Sequence, residues 1–140
     1  MRLPMSEPKP VVVLANGCFD VLHYGHYMHL SAAKDMGDEL YVALTRNKFV
    51  NKGPKRPYYD EHKRGVMLVQ LRAVNGVMLV NDVREAFKFY NPQIWALGSE
   101  YKGKVKREHS DYCKSHGIEI RFTDEERDAS SKVINELRRR

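Results

Sequence analysis

Cysteine is scarce in this chain: Cys18 and Cys113 are the only two in 140 residues. That scarcity excludes a disulfide-stapled secreted scaffold, and nothing near either thiol resembles a ligand pair for zinc. No window approaches the roughly 18 unbroken apolar residues that a membrane span requires. The first ten residues hold three prolines and no apolar h-region of a secretory signal, so a cytoplasmic protein with no membrane partner is expected. Internal repeats and low-complexity tracts are missing too, which removes solenoids and disordered arrays. An acidic surplus is also lacking. Lys and Arg number 24 against 18 Asp and Glu, a net charge of +6. The surplus suits an anionic partner: nucleic acid, acidic lipid or a phosphorylated metabolite. The cations are spread over residues 48–63, 102–107 and 138–140 with no single basic arm or helix, so charge narrows the partner's sign and little else.

What is present reads as one domain. Residues 1–10 form an extended lead-in and residues 11–140 are long enough to bury a core without metal or disulfide support. The β-branched run at 11–15 is a strand buried on both faces of a parallel sheet. A turn-rich Asn16-Gly17-Cys18-Phe19-Asp20 follows, then helical periodicity from Tyr24 to Met36, ended by Gly37. Further strands are expected at 39–44, 76–80, 94–97 and 118–122, with helices at 60–74, 82–90, before the last strand, and from about Ser130. Residues 46–59, with two prolines, a glycine and five basic residues, form a surface loop. Strands alternating with helices imply an α/β fold: a single Rossmann-like open parallel sheet of about five strands, helices on both faces, right-handed crossovers. Ligands of such sheets sit beyond the carboxyl ends of the strands, which places chemistry at residues 16–26, 45–64, 98–104 and 123–132. Trp95 and Met78, in strand settings, read as core.

His23-Tyr24-Gly25-His26 lies in the first of those loops. Gly25 leaves room for close approach to the backbone, and imidazoles three apart share one face of the first helical turn. Donors fixed at a helix N-terminus can bind phosphate and stabilise charge on a departing pyrophosphate. On an unplaced turn, two surface or metal-binding histidines would be the default reading; directly after a buried strand, the phosphate reading is the stronger. Asp20 either orients a histidine or caps the coming helix, and the cap is the preferred role.

The segment from Asn16 to His26, followed by Ala33-Lys34-Asp35-Met36-Gly37-Asp38-Glu39-Leu40, resembles the cytidylyltransferase-like nucleotidyltransferases. The resemblance extends over residues 11–137. It implies that His23 and His26 contact a triphosphate and that Asn16, Gly17, Cys18, Phe19 and Gly25 cradle the nucleotide. Lys34, matching the lysine of the family's Ala-Lys pair, is implied to reach the phosphates, and Arg64 to make a phosphate contact. Lys52-Gly53-x-x-Arg56-Pro57 resembles a loop of the heptose 1-phosphate adenylyltransferase branch, which implies that Lys52 and Arg56 clamp substrate phosphates. Gly98-Ser99-Glu100-Tyr101 matches a turn that borders the nucleotide, with Glu100 as an acceptor for ribose or base and Tyr101 as a cover for the core. Ser130 and Ser131 fall where relatives bind phosphate with hydroxyls, though Ala129 removes one donor. Asn75 departs from an aspartate of the family.

The implied reaction is attack by an acceptor phosphate oxygen on the α-phosphorus of a nucleoside triphosphate, with pyrophosphate leaving. Mg²⁺ would arrive on the triphosphate, because no carboxylate cluster for it is visible and no protein metal site is expected. Thr123-Asp124-Glu125-Glu126-Arg127-Asp128 replaces the Arg-Thr-Glu-Gly usual in cytidylyltransferases. With the other two motifs this favours AMP transfer to a sugar phosphate. Cytidylyl transfer to glycerol 3-phosphate and adenylyl transfer to FMN remain as alternatives. A nucleotide sensor or nucleic-acid-binding module is the non-enzymatic rival, disfavoured because the cations coincide with strand-end loops. A homodimer is implied only by analogy.

Overall fold

The structure is a computed structural model that describes residues 8–124. The expected final helix, together with Ser130 and Ser131, lies outside the described residues. Five parallel strands form one sheet in the order β3-β2-β1-β4-β5: β1 Val12–Gly17, β2 Glu39–Thr45, β3 Gly76–Val80, β4 Ile94–Gly98 and β5 Glu119–Thr123. The helices are α1 Tyr24–Lys34, α2 Glu61–Val69, α3 Val83–Tyr90 and α4 Arg107–His116. None of them is long and apolar enough to cross a membrane.

Two cores sandwich the sheet, as the alternation along β1 requires. Val13 and Ala15 pack with Leu30, Ala33, Val42, Leu44 and Leu68 on the α1–α2 side. Leu14 and Ala43 pack with Val83, Ala86, Phe87, Trp95 and Cys113 on the α3–α4 side. Each fully buried aliphatic side chain contributes about 1.5–3 kcal/mol, so the β-branched run specifies the central strand through both faces at once. Trp95 and Met78 are on the α3–α4 side, Met78 partly buried.

Local chemistry sets the helix ends. Asp60 caps α2, accepting from the Lys63 N–H. Asp82 caps α3 in a reciprocal pair with Glu85, and Asn91 closes it in the left-handed conformation (φ 48°) ahead of Pro92. α2 is shorter than its periodicity suggests. After Val69 the chain continues in i→i+3 turns (Leu71 N–H to Leu68 O, Val74 N–H to Leu71 O), which still press Leu71, Ala73 and Val74 onto the core.

The order of strands creates the site. The chain winds outward from β1 to β3, then returns to β4 on the other side of β1, so the direction of winding reverses between β1 and β4. These two strands pair only at Val13–Ile94 and Leu14–Trp95. Beyond that, β1 stays with β2 as far as Gly17–Leu44, and β4 stays with β5 as far as Gly98–Thr123. The carboxyl ends therefore splay apart, leaving an opening at the switch point.

Candidate active site

The opening is a cleft of about 270 Å³. Asn16, Gly17, Cys18 and Phe19 line it from the end of β1, His23, Gly25, His26 and His29 from the head of α1, and Leu97, Gly98, Glu100 and Tyr101 from the end of β4; Lys52 reaches it from the 46–59 loop. Of the residues singled out from sequence, the structure thus brings ten to one place, with Lys34, Arg56 and Arg64 elsewhere and the two serines outside the described residues.

The two imidazoles do more than share a helix face. His23 is the N-cap of α1: its Nδ1 accepts from the Gly25 N–H at 3.1 Å, while the His23 N–H donates to His26 Nδ1 at 3.3 Å. The rings stack with centroids 3.9 Å apart, and Phe19 meets His26 edge-on at 5.3 Å. A backbone N–H can only donate, so both Nδ1 atoms must carry lone pairs and each neutral ring holds its proton on Nε2. Cap formation therefore leaves the ring proton of each histidine on Nε2 at a helix N-terminus, the His26 proton being shared with the Val21 carbonyl until a ligand competes for it. Burial lowers the His26 pKa to about 4, helped by the charges of His23, Lys52 and His29 and opposed by the Val21 carbonyl. His26 is a neutral donor at physiological pH. Gly25 serves this cap: a Cβ there would lie 3.0 Å from His23 Cε1.

Several residues stand in other places than the sequence suggested. Asp20, expected to cap α1, is 1% exposed and ties down the 46–59 loop instead, accepting from Arg56 Nε at 2.6 Å and from the Tyr58 and Tyr59 N–H groups at 2.7 and 2.9 Å. Burial raises its pKa, but these hydrogen bonds and the Arg56 charge prevail and hold it below the usual carboxylate value. Arg56 is thereby engaged as an anchor of the loop, while Lys52 faces the cleft. Arg64, expected at a phosphate, is completely buried. It donates to the carbonyls of Tyr59, Cys18 and Thr45 and to Asn47 Oδ1 at 2.7–2.9 Å. It fastens α2 to the ends of β1 and β2 and cannot touch a ligand directly. Lys34 sits on the last turn of α1, where Nζ donates to Asn75 Oδ1 at 2.6 Å; the same oxygen accepts from the Leu40 N–H at the start of β2. That is the amino edge of the sheet, about 15 Å along the helix from His26's end.

At the end of β4, a Cβ on Gly98 would collide with the Glu100 carboxylate, so glycine lets that side chain fold back beside the cleft. Tyr101, expected to cover the core, is 50% exposed and lines the cleft. His29 escaped the sequence reading although it follows His26 by three, the spacing that joined His26 to His23. Its Nδ1 lies 2.8 Å from Thr123 Oγ1, linking α1 to the end of β5. A second cleft of about 250 Å³ adjoins the first through Asn16, Gly17, Leu97 and Tyr101, and extends to Trp95, Lys104, Val105, Lys106 and His109. Glu100 is the one carboxylate lining either cleft among the described residues. A divalent cation would fit here only with oxygens supplied largely by a triphosphate.

Comparison with known proteins agrees with this geometry. The sequence profile described as cytidylyltransferase-like matches residues 14–135. The chain is 33% identical over 138 residues to the bifunctional protein HldE of Campylobacter jejuni subsp. doylei, covering 96% of this chain and 29% of that protein. It is 38% identical over 97 residues to HldE of Nitratiruptor sp., covering 66% and 21%. The chain thus spans under a third of the length of these curated relatives. Among solved structures, the lipopolysaccharide core biosynthesis protein from Thermoplasma volcanium superposes with a TM-score of 0.68 at 30% identity, covering 81% of this chain and 94% of that one. Pantothenate synthetase from Thermus thermophilus shares the fold at a TM-score of 0.58 and 14% identity, covering 82% of this chain and 55% of that one.

Proposed function

This chain belongs to the cytidylyltransferase-like family of nucleotidyltransferases, and from that premise we propose that it transfers AMP from ATP to a phosphorylated sugar. The observation that carries the reading is the reciprocal His23–His26 cap, which fixes two Nε2–H donors where the β1–β4 opening meets a helix N-terminus. Helix N–H groups and neutral donors held in place stabilise phosphate charge without reorganising. The triphosphate lies in the first cleft, its β- and γ-phosphates toward His23, His26 and Lys52. The acceptor occupies the second cleft, whose Lys104 and Lys106 suit a phosphate. An acceptor phosphate oxygen forms a bond to the α-phosphorus as the bond to the bridging oxygen of pyrophosphate breaks. The acceptor is already an anion, so no protein base is required. Mg²⁺, when bound on the triphosphate, neutralises part of the charge that the leaving pyrophosphate develops. What the protein adds is alignment of the two substrates and hydrogen bonds to the oxygens that gain charge.

The choice of AMP and a sugar phosphate is supported by the Lys52-Gly53-x-x-Arg56-Pro57 and Gly98–Tyr101 motifs, by the identity to HldE proteins, and by similarity to a structure named for lipopolysaccharide core synthesis. A panel of ATP and CTP against heptose and hexose 1-phosphates, glycerol 3-phosphate and FMN, read by pyrophosphate release, tests it. Turnover is expected with ATP and a sugar 1-phosphate. Preference for CTP with glycerol 3-phosphate, or for FMN, would overturn the substrate assignment; no release with any pair would overturn the transferase reading.

A further inference from the structure

Trp95 belongs to the α3–α4 core, yet its indole is not purely a packing group. It is 3% exposed, and its Nε1–H donates to Asn16 Oδ1 at 2.8 Å. An indole nitrogen can only donate, so this bond settles which end of the Asn16 amide faces Trp95: the oxygen does, and the NH₂ group is turned away. No other residue among those described takes a hydrogen bond from that NH₂ group. Since no buried side-chain nitrogen or oxygen among them lacks a partner, the NH₂ group is open to solvent. Asn16 lines both clefts, at the point where they meet. A paired donor, aimed by a buried aromatic, thus stands between the nucleotide cleft and the cleft carrying Lys104 and Lys106.

We propose that Trp95 is a positioning residue that locks the Asn16 amide with its NH₂ group toward the junction, and that this donor makes the second cleft select an acceptor presenting an anionic phosphate oxygen there. The inference rests on the transferase reading above and deepens it by assigning acceptor selectivity to one oriented amide. The chemistry is sign-specific. An amide NH₂ hydrogen-bonds a phosphate oxygen, whereas a carboxylate at position 16 would accept from Trp95 with one oxygen and repel a phosphate with the other. The class of ligand favoured is therefore an anion such as a phosphomonoester, which Lys104 and Lys106 in the lining of the same cleft also suit. Without the indole N–H the amide can rotate by a half-turn and present its oxygen to the junction, which weakens the same contact.

Four variants test this: Asn16→Asp, Trp95→Phe, Asn16→Ala, and Asn16→Ala combined with Trp95→Phe. In steady-state assays with the sugar phosphate that the wild type turns over, Asn16→Asp is expected to raise the acceptor KM by about ten- to a hundredfold. Trp95→Phe should raise the acceptor KM several-fold when Asn16 is present and leave it unchanged in the Asn16→Ala background, because a residue acting through a partner loses its effect once the partner is gone. A second measurement needs no turnover. Trp95 is the sole tryptophan, so its fluorescence reports titration with inorganic phosphate directly; a saturable change is expected in the wild type, at least tenfold weaker in Asn16→Asp. Equal KM effects of Trp95→Phe in both backgrounds would overturn the positioning role, as would a phosphate titration in Asn16→Asp that matches the wild type. If Trp95→Phe does not fold, the Asn16→Asp comparison decides alone. Absence of pyrophosphate release with every substrate pair would strike the transferase reading, whereas the phosphate titration compares wild type with Asn16→Asp without any turnover.

Discussion

At the scale of single residues, His26 has two separable duties, and substitution can divide them. Its Nδ1 accepts from the His23 N–H, and its Nε2–H is left for a ligand. In His26→Asn the side-chain oxygen can take over the cap while the distal donor is lost. Turnover should then fall about 10²–10³-fold, the range seen when one oxyanion donor is removed, with the melting temperature nearly unchanged. His26→Gln has the opposite profile. Its amide reaches toward the Nε2 position but leaves the cap unmade, so part of the turnover returns at a cost of about 1 kcal/mol of stability. Wild-type pyrophosphate release by His26→Asn would refute the donor role. Lys34 supplies the contrast. Its family match placed it at the phosphates, but its ammonium is held by Asn75 at the amino edge of the sheet. Lys34→Met should keep kcat and both KM values within about twofold, a change no larger than that expected from a remote surface site. The motif was legible as residue types in order. Which histidine nitrogen faces a ligand was not, because that depends on where the first helical N–H falls relative to the ring.

At the scale of elements, strand and helix identities could be read from periodicity because each strand is buried on both faces and each helix on one. The positions of β3 and α3 follow the apolar runs closely. The roles of Asp20, Arg56 and Arg64 could not be read this way. Each joins segments 19–46 residues apart, and local pattern carries no information on partners so distant. Sequence motifs therefore marked these residues as significant without revealing that they hold the site's framework. Arg64 fastens α2 to the ends of β1 and β2 through its planar fork, and lysine cannot reproduce that geometry. Arg64→Lys should lower stability by about 3 kcal/mol, since at least one buried carbonyl loses its donor, and should raise the triphosphate KM as the Cys18 carbonyl is released. Asp20→Ala strands the Tyr58 and Tyr59 N–H groups and is expected to cost on the order of 2–4 kcal/mol. Urea unfolding measures both. Stability equal to wild type in either variant would mean that the 46–59 loop and α2 are not fastened through these side chains.

At the scale of the whole molecule, the buried part of the site makes folding sensitive to acid. His26 titrates at about 4 in the folded state, below its ordinary value of 6.5. Between those two values the unfolded chain binds more protons at this position than the folded one, so stability rises with pH there and is lost as pH falls from 6.5 toward 4. Asp20 acts in the same direction at lower pH. Its folded pKa lies below the ordinary value of 3.8, so its contribution is fully present above 3.8 and disappears as pH falls through the folded value. The helix-head imidazole and the loop-anchoring carboxylate thus act in the same direction as the pH falls. Thermal melts of the unliganded protein should show a declining melting temperature from pH 6.5 to 4. In His26→Asn that slope should flatten, because no group at position 26 then changes protonation, while the further decline below pH 4 persists. A variant whose melting temperature falls as steeply as the wild type between pH 6.5 and 4 would show that the imidazole is not buried in its neutral form, and the tautomer that leaves Nε2–H facing a phosphate would lose its electrostatic basis.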